Sequence, residues 1–199
     1  MHNPAASTGQ IGGALTFASP DNLTIAAAAS LDLTTYSNWT MSAWVKPTSY
    51  TSLKWPIIYS YGDYRASMGL TVQQGTDGLI ENRINDTKVR QSTNPVTLNA
   101  WNHVTITRTA TTTSFYLNGI ADGSSGASPV ATANQASYIG GWNDGKIDFQ
   151  YLGLIDEVRL SASSAPSGAR SADWIRTEYN NQNSPSTFHY ITGQEEWTC

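Results

Sequence analysis

The sequence predicts an all-β protein: an antiparallel two-sheet β-sandwich with one short C-terminal helix. Three observations carry this. Short segments alternate apolar and polar residues with a period of two, as half-buried strands do. Gly, Asn, Asp and Pro turns close each segment after a few residues. Only Ser171 to Asn180 changes to helical spacing, so the strands have no helices to alternate with and an α/β fold is excluded.

Taken in order, Ala14 to Phe17 and Asn22 to Ala26 flank a Ser19-Pro20-Asp21 turn. Thr40 to Lys46 is a strand with Met41, Ala43 and Val45 on one face and Ser42, Trp44 and Lys46 on the other. Pro56 to Tyr61, Met68 to Gln73, Gly78 to Ile84 and Lys88 to Gln91 follow, each ended by a turn. His103 to Thr109 and Thr113 to Leu117 pair as a hairpin, and Asn118-Gly119 and Asp122-Gly123 are turn dipeptides. Ser137 to Gly140 and Tyr151 to Ser161 complete the strands. In the helix, Ser171 is the expected N-cap, Asp173 places a carboxylate where the helix dipole favours it, and Trp174 is expected to pack on the sandwich. Residues 1–11 read as a lead-in, 12–183 as the domain and 184–199 as a tail or linker.

Composition narrows the functional classes. With 199 residues the chain is long enough to bury a core without a metal or disulfide. Only 13% of residues are charged and the net charge is −4, which argues against nucleic acid and anionic membranes as partners. The single cysteine, Cys199, excludes an internal disulfide. No apolar run approaches the roughly 20 residues of a membrane helix, and Met1-His2-Asn3-Pro4 does not read as a signal peptide.

Several motifs occur together and in order: Ala43-Trp44-Val45-Lys46-Pro47, Trp101-Asn102-His103-Val104, Tyr116-Leu117-Asn118-Gly119, Ile139-Gly140-Gly141 and Gly153-Leu154-Ile155-Asp156-Glu157-Val158-Arg159-Leu160. With them the chain resembles the laminin-G-like, concanavalin-A-like jelly rolls over roughly Gly12 to Ser161. The stretch Ala169 to Tyr179 is similar to the ending of such modules in bacterial and archaeal surface proteins. The resemblance implies a sugar- or surface-binding module of an exported or cell-surface protein, with Trp39, Trp44 and Trp101 mostly buried. It also implies one structural calcium at a sandwich edge, with Asp21 and Asp156 as ligands. On their residues alone, Asp21 reads equally as a turn residue bonding its own backbone and Asp156 as the ion-pair partner of an arginine.

Fold does not fix function, so the chemistry is tested on the residues. Glycosidases need a carboxylate pair. Two residues after Glu81, Glu157 and Glu178 stand Arg83, Arg159 and Asn180, so none has a second carboxylate on its face. Asp156 and Glu157 are adjacent, which on a regular strand points them to opposite faces. His103 reads as a structural histidine, and no nucleophile elbow, P-loop or dinucleotide fingerprint is present. A non-catalytic domain is expected.

What remains is aromatic. Sugars present apolar C–H faces ringed by hydroxyls, which suits an aromatic platform flanked by hydrogen-bonding side chains. Trp142-Asn143-Asp144 and Trp55, Tyr61, Tyr64 and Arg65 have that chemistry, although Trp142 and the tyrosines serve equally well as core. The expected function is glycan or polysaccharide binding. The alternative is a structural or adhesion module that binds protein or acts as a spacer.

Overall fold

The alternation becomes two stacked sheets in the computed structural model, which describes residues 3–49, 56–62, 68–72, 78–84, 87–127, 135–142 and 149–188. With strands numbered along the chain, the first sheet has the order β1 (Ala5–Thr8), β2 (Gly13–Phe17), β13 (Gly153–Ser163), β4 (Asn38–Pro47), β9 (Asn102–Arg108), β10 (Thr112–Leu117) and β11 (Ile120–Gly126). The second has the order β3 (Leu23–Ile25), β12 (Ser137–Ile139), β5 (Ile57–Tyr61), β6 (Met68–Val72), β7 (Leu79–Ile84) and β8 (Thr87–Pro95). A helix, α1 (Ala172–Asn183), and a single further turn, α2 (Pro185–Phe188), follow the last strand.

The core lies between the sheets. Met41, Ala43 and Val45 of β4 meet Val104 and Ile106 of β9, Phe115 of β10 and Ile155 of β13, and Tyr59, Tyr61 and Ile80 from the second sheet close over them. Each fully buried side chain of this size contributes about 1.5–3 kcal/mol through lost apolar surface. One flank is fastened by a buried carboxylate. Asp122 of β11 accepts the Asn94 backbone N–H at 3.1 Å and its side-chain amide at 2.6 Å, tying β11 to β8 across the sheets.

The opposite face of the first sheet is also covered, and its lining is polar. Thr40, Ser42 and Trp44 of β4 stand beside Thr107, Thr105 and His103 of β9, and all six are buried. Helix α1 and the turn before it provide the cover. Tyr179 stacks on Trp44 at 5.6 Å, and the Trp44 Nε1–H donates to Gln182 Oε1 at 2.5 Å. The Thr40 hydroxyl donates to the Gly168 carbonyl at 2.9 Å and accepts the Arg170 N–H at 2.9 Å. Gly168 has to be glycine for this approach, since a Cβ there would collide with the Asn38 carbonyl and the Ser163 amide nitrogen.

The strands fall where the alternation places them, with two differences. β1 lies within the expected lead-in and pairs with β2, and β11 occupies what reads as a turn. Trp39 and Trp44 are buried as expected, whereas Trp101 is half-buried. Ser171 does cap α1, accepting the Trp174 N–H at 3.2 Å. Trp174 itself, however, is 52% exposed, and Ile175 is the residue that packs inward.

Candidate functional site

Two of the seven expected ligand-binding residues are core. Gly140 and Gly141, both at positive φ, turn the chain so that Trp142 points inward against Ile57 and Phe149, with its ring 4.2 Å from that of Phe149. The Trp142 Nε1–H donates to Ser60 Oγ at 3.1 Å, leaving the indole 5% exposed. Tyr61 is wholly buried, its hydroxyl donating to Asp32 Oδ1 at 2.9 Å. Neither ring offers a stacking face to solvent. Trp55, Tyr64, Arg65, Asn143 and Asp144 lie outside the described residues.

The two expected metal ligands do not meet. Asp21 accepts the Ala18 N–H at 2.9 Å and so bonds its own turn, beyond the Phe17 end of β2. Asp156 lies toward the other end of that strand, because β13 pairs Gly153 with Phe17 and Ile155 with Leu15. It accepts the Ile11 N–H at 2.9 Å and is 6% exposed, so its role is to hold the β1–β2 turn. Among the described residues no three His, Cys, Asp or Glu side chains converge. Asp21 and Asp156 therefore do not come together at one site.

A bulge in β13 does bring functional groups together. Asp156 stands opposite Trp44 but Arg159 opposite Ser42, so one extra residue is accommodated between them, and Glu157 takes a φ of 50°. On a regular strand Asp156 and Arg159 would face opposite sides; the bulge aims both outward. Asp156 and Glu157, adjacent in sequence, engage different partners. Glu157 accepts from Arg159 Nε at 3.1 Å and Nη2 at 2.6 Å, while Arg159 Nη1 donates to Glu178 of α1 at 2.7 Å.

Between this arginine and the start of α1 lies a cavity of about 320 Å³. Trp174, Arg170, Glu178, Arg159, Ser42 and Ser161 are among its lining residues. The Arg170 guanidinium sits 4.5 Å from the Trp174 ring centroid, a cation–π contact that orients the exposed indole. The cavity is thus an aromatic wall beside hydroxyls, two guanidiniums and a carboxylate. Sequence reasoning missed it, although the helical phase was a usable signal. Ile175, Tyr179 and Gln182 form the inward stripe, which leaves Trp174 and Glu178 along one flank.

The electrostatics are balanced. Burial works to lower the Arg159 pKa, but the hydrogen bond to Glu157 and the charges of Glu178 and Glu157 outweigh it, so the net shift is upward. Beneath the helix, burial pushes His103 down to about 4, with the positive Arg159 adding to the effect. Its ring packs against Trp44 at 5.2 Å and Tyr179 at 6.1 Å, and its Nδ1 has no hydrogen-bond partner among the described residues. Neutral and enclosed, it supports the helix and is not placed as a catalytic base.

The Laminin_G_3 family model, described as the concanavalin A-like lectin/glucanases superfamily, matches residues 18–176. Among curated proteins none matches the chain. Domain 4 of AbnA, a GH43 extracellular arabinanase from Geobacillus stearothermophilus, solved with arabinotriose, is similar at 20% identity and a TM-score of 0.69, covering 88% of this chain and 81% of that one. The binding domain of Paraclostridial Mosquitocidal Protein 1 is similar at 13% identity and a TM-score of 0.68, covering 90% of this chain and 46% of that one. A candidate carbohydrate-binding protein from Bacteroides ovatus is similar at 21% identity and a TM-score of 0.59, covering 82% of this chain and 45% of that one. This chain therefore spans a little under half of the last two. At these identities the likeness is one of fold.

Proposed function

Because the chain belongs to the concanavalin A-like lectin/glucanases superfamily, we propose that it is a non-catalytic carbohydrate-binding module of an exported or cell-surface protein. The observation that carries this reading is the cavity beside α1, where the half-exposed Trp174 stands among Arg170, Arg159, Glu178, Ser42 and Ser161. An indole presented to solvent gives the C–H face of a sugar ring an apolar surface. The flanking groups donate to and accept from its hydroxyls. A volume of about 320 Å³ is at the lower end for small-ligand sites and suits one sugar ring.

A binding rather than hydrolytic role is supported by what the carboxylates do. Glu157 and Glu178 both engage Arg159, an arrangement that fixes a guanidinium in place. The solved arabinanase domain bound to arabinotriose supports glycan binding as a use of this fold, though not a particular sugar. Single-site affinity is weak in this reading, and copies within a parent protein raise it by avidity.

The test is binding of the purified domain to a polysaccharide panel, alongside Trp174→Ala. Selective binding that the variant loses by about tenfold or more is expected, since an aromatic anchor dominates a small site. Unchanged binding by the folded variant would remove the site from this cavity. Binding is expected to be the same with calcium and with chelator, since Asp21 and Asp156 do not converge. Loss on chelation would contradict that.

A further inference from the structure

The cavity beside Trp174 has a neighbour. A second cavity of about 500 Å³ lies between the β1–β2 turn and the end of α1, lined by Gln10, Ile11, Gly12, Asn181, Gln182, Asn183 and Pro185. The two sit along one flank of the helix. Trp174 and Glu178 line the first, and Asn181, seven residues beyond Trp174, lines the second. Residues four and seven apart share a helix face, and at 1.5 Å per residue the line from Trp174 to Asn181 is about 10 Å long. That is longer than one sugar ring.

Between the cavities stands the Arg159–Glu178 bridge, which Gln182 joins through Nε2–H to Glu178 Oε1 at 3.4 Å. The flank therefore runs from an aromatic platform, past a fixed arginine and glutamate, to a pocket walled by side-chain amides. Charge along it is balanced. Arg159 and Arg170 are matched by Glu157 and Glu178, the second cavity has no charged lining residue, and the whole chain carries −4. Both glutamates sit on Arg159 and Arg170 lies against Trp174, so the flank carries no net positive charge to attract a polyanion. Amides and hydroxyls instead offer donors and acceptors in alternation, as the hydroxyls of an uncharged sugar chain require.

Resting on the proposed function, we infer that the ligand is a stretch of several rings of a linear, neutral polysaccharide laid along the β13 flank of α1. One ring lies against Trp174, and the chain continues over the Arg159–Glu178 bridge toward Gln10 and Asn181.

The experiment is calorimetry with neutral arabino-, xylo-, cello- and manno-oligosaccharides from mono- to hexasaccharide, and with polygalacturonate. The proteins are the wild type, Trp174→Ala, and the double variant Gln10→Ala/Asn181→Ala, whose positions lie at the surface. Affinity in one neutral series is expected to rise about tenfold from mono- to trisaccharide and then level off, which is about 1.4 kcal/mol. The double variant should weaken the trisaccharide about fivefold and leave the monosaccharide unchanged. Equal affinity for the monosaccharide and the longer chains, no effect of the double variant, or preference for polygalacturonate would overturn this inference while leaving glycan binding intact. No binding to any sugar by the folded protein would overturn the reading beneath it.

Discussion

Trp142 and Trp174 exchange the roles their local sequences suggest. Trp142 follows a Gly-Gly turn next to Asn143 and Asp144, the setting of a loop-borne sugar platform, and it is buried against Phe149 with its N–H on Ser60. Trp174 sits in an amphipathic helix, the setting of a packing residue, and half of it faces solvent. Backbone geometry decides both cases. Positive φ at Gly140 and Gly141 folds one indole inward, while docking α1 through Ile175 and Tyr179 turns the other to the flank.

The two regions should respond oppositely to mutation. Trp142→Ala removes a buried ring and the N–H that Ser60 Oγ accepts, while the Ser60 hydroxyl keeps its bond to the Gly62 carbonyl. The substitution is expected to cost about 3–5 kcal/mol of stability, read from denaturant unfolding, with glycan affinity unchanged in the folded fraction. A loss below about 1 kcal/mol would show that this ring is not core.

Next in size is the pH dependence of the polar layer under α1. The folded His103 pKa is lowered to about 4 from an ordinary 6.5. Between these values the unfolded chain binds more protons than the folded one, so stability is full above pH 6.5 and falls as pH drops toward 4. A shift of this size corresponds to about 3 kcal/mol, to order of magnitude. His103→Gln should flatten that part of the pH–stability curve, and an unaltered slope would place the titration elsewhere.

Smaller still is the effect of Trp174→Ala on stability. The exposed ring and its Arg170 contact predict a loss of about 0.5–1 kcal/mol in thermal or chemical unfolding, against a much larger loss of binding. The least is expected of Glu157→Gln. It removes one arm of a half-exposed ion pair and should shift stability by less than about 1 kcal/mol, which salt titration of the wild type can check.

Much of the fold was legible because β4, β9, β10 and β13 each turn an apolar face to the core and a largely polar one away from it, which writes a period of two into the sequence. β1 and β11 were not, for the same reason in reverse. Ala5–Thr8 is exposed throughout, and in Ile120–Gly126 only Asp122 is buried, so neither has an apolar face to announce it. The site was less legible than the fold. Arg159 reaches Glu178 only because a bulge adds a residue to β13, and no alternation rule anticipates that extra residue. Asp156 has the carboxylate chemistry of a metal ligand, yet its position against Ile11 uses it to fasten a turn. Helical phase was the one signal pointing to Trp174, and it required treating Ile175 rather than the indole as the anchor.

The most direct measurement compares polysaccharide binding by wild type, Trp174→Ala and Trp142→Ala under conditions where all three are folded. Binding that is lost with Trp174 and retained without Trp142 is the predicted result. Binding lost with Trp142 and retained without Trp174 would move the site from the flank of α1 back to the Gly140-Gly141 turn.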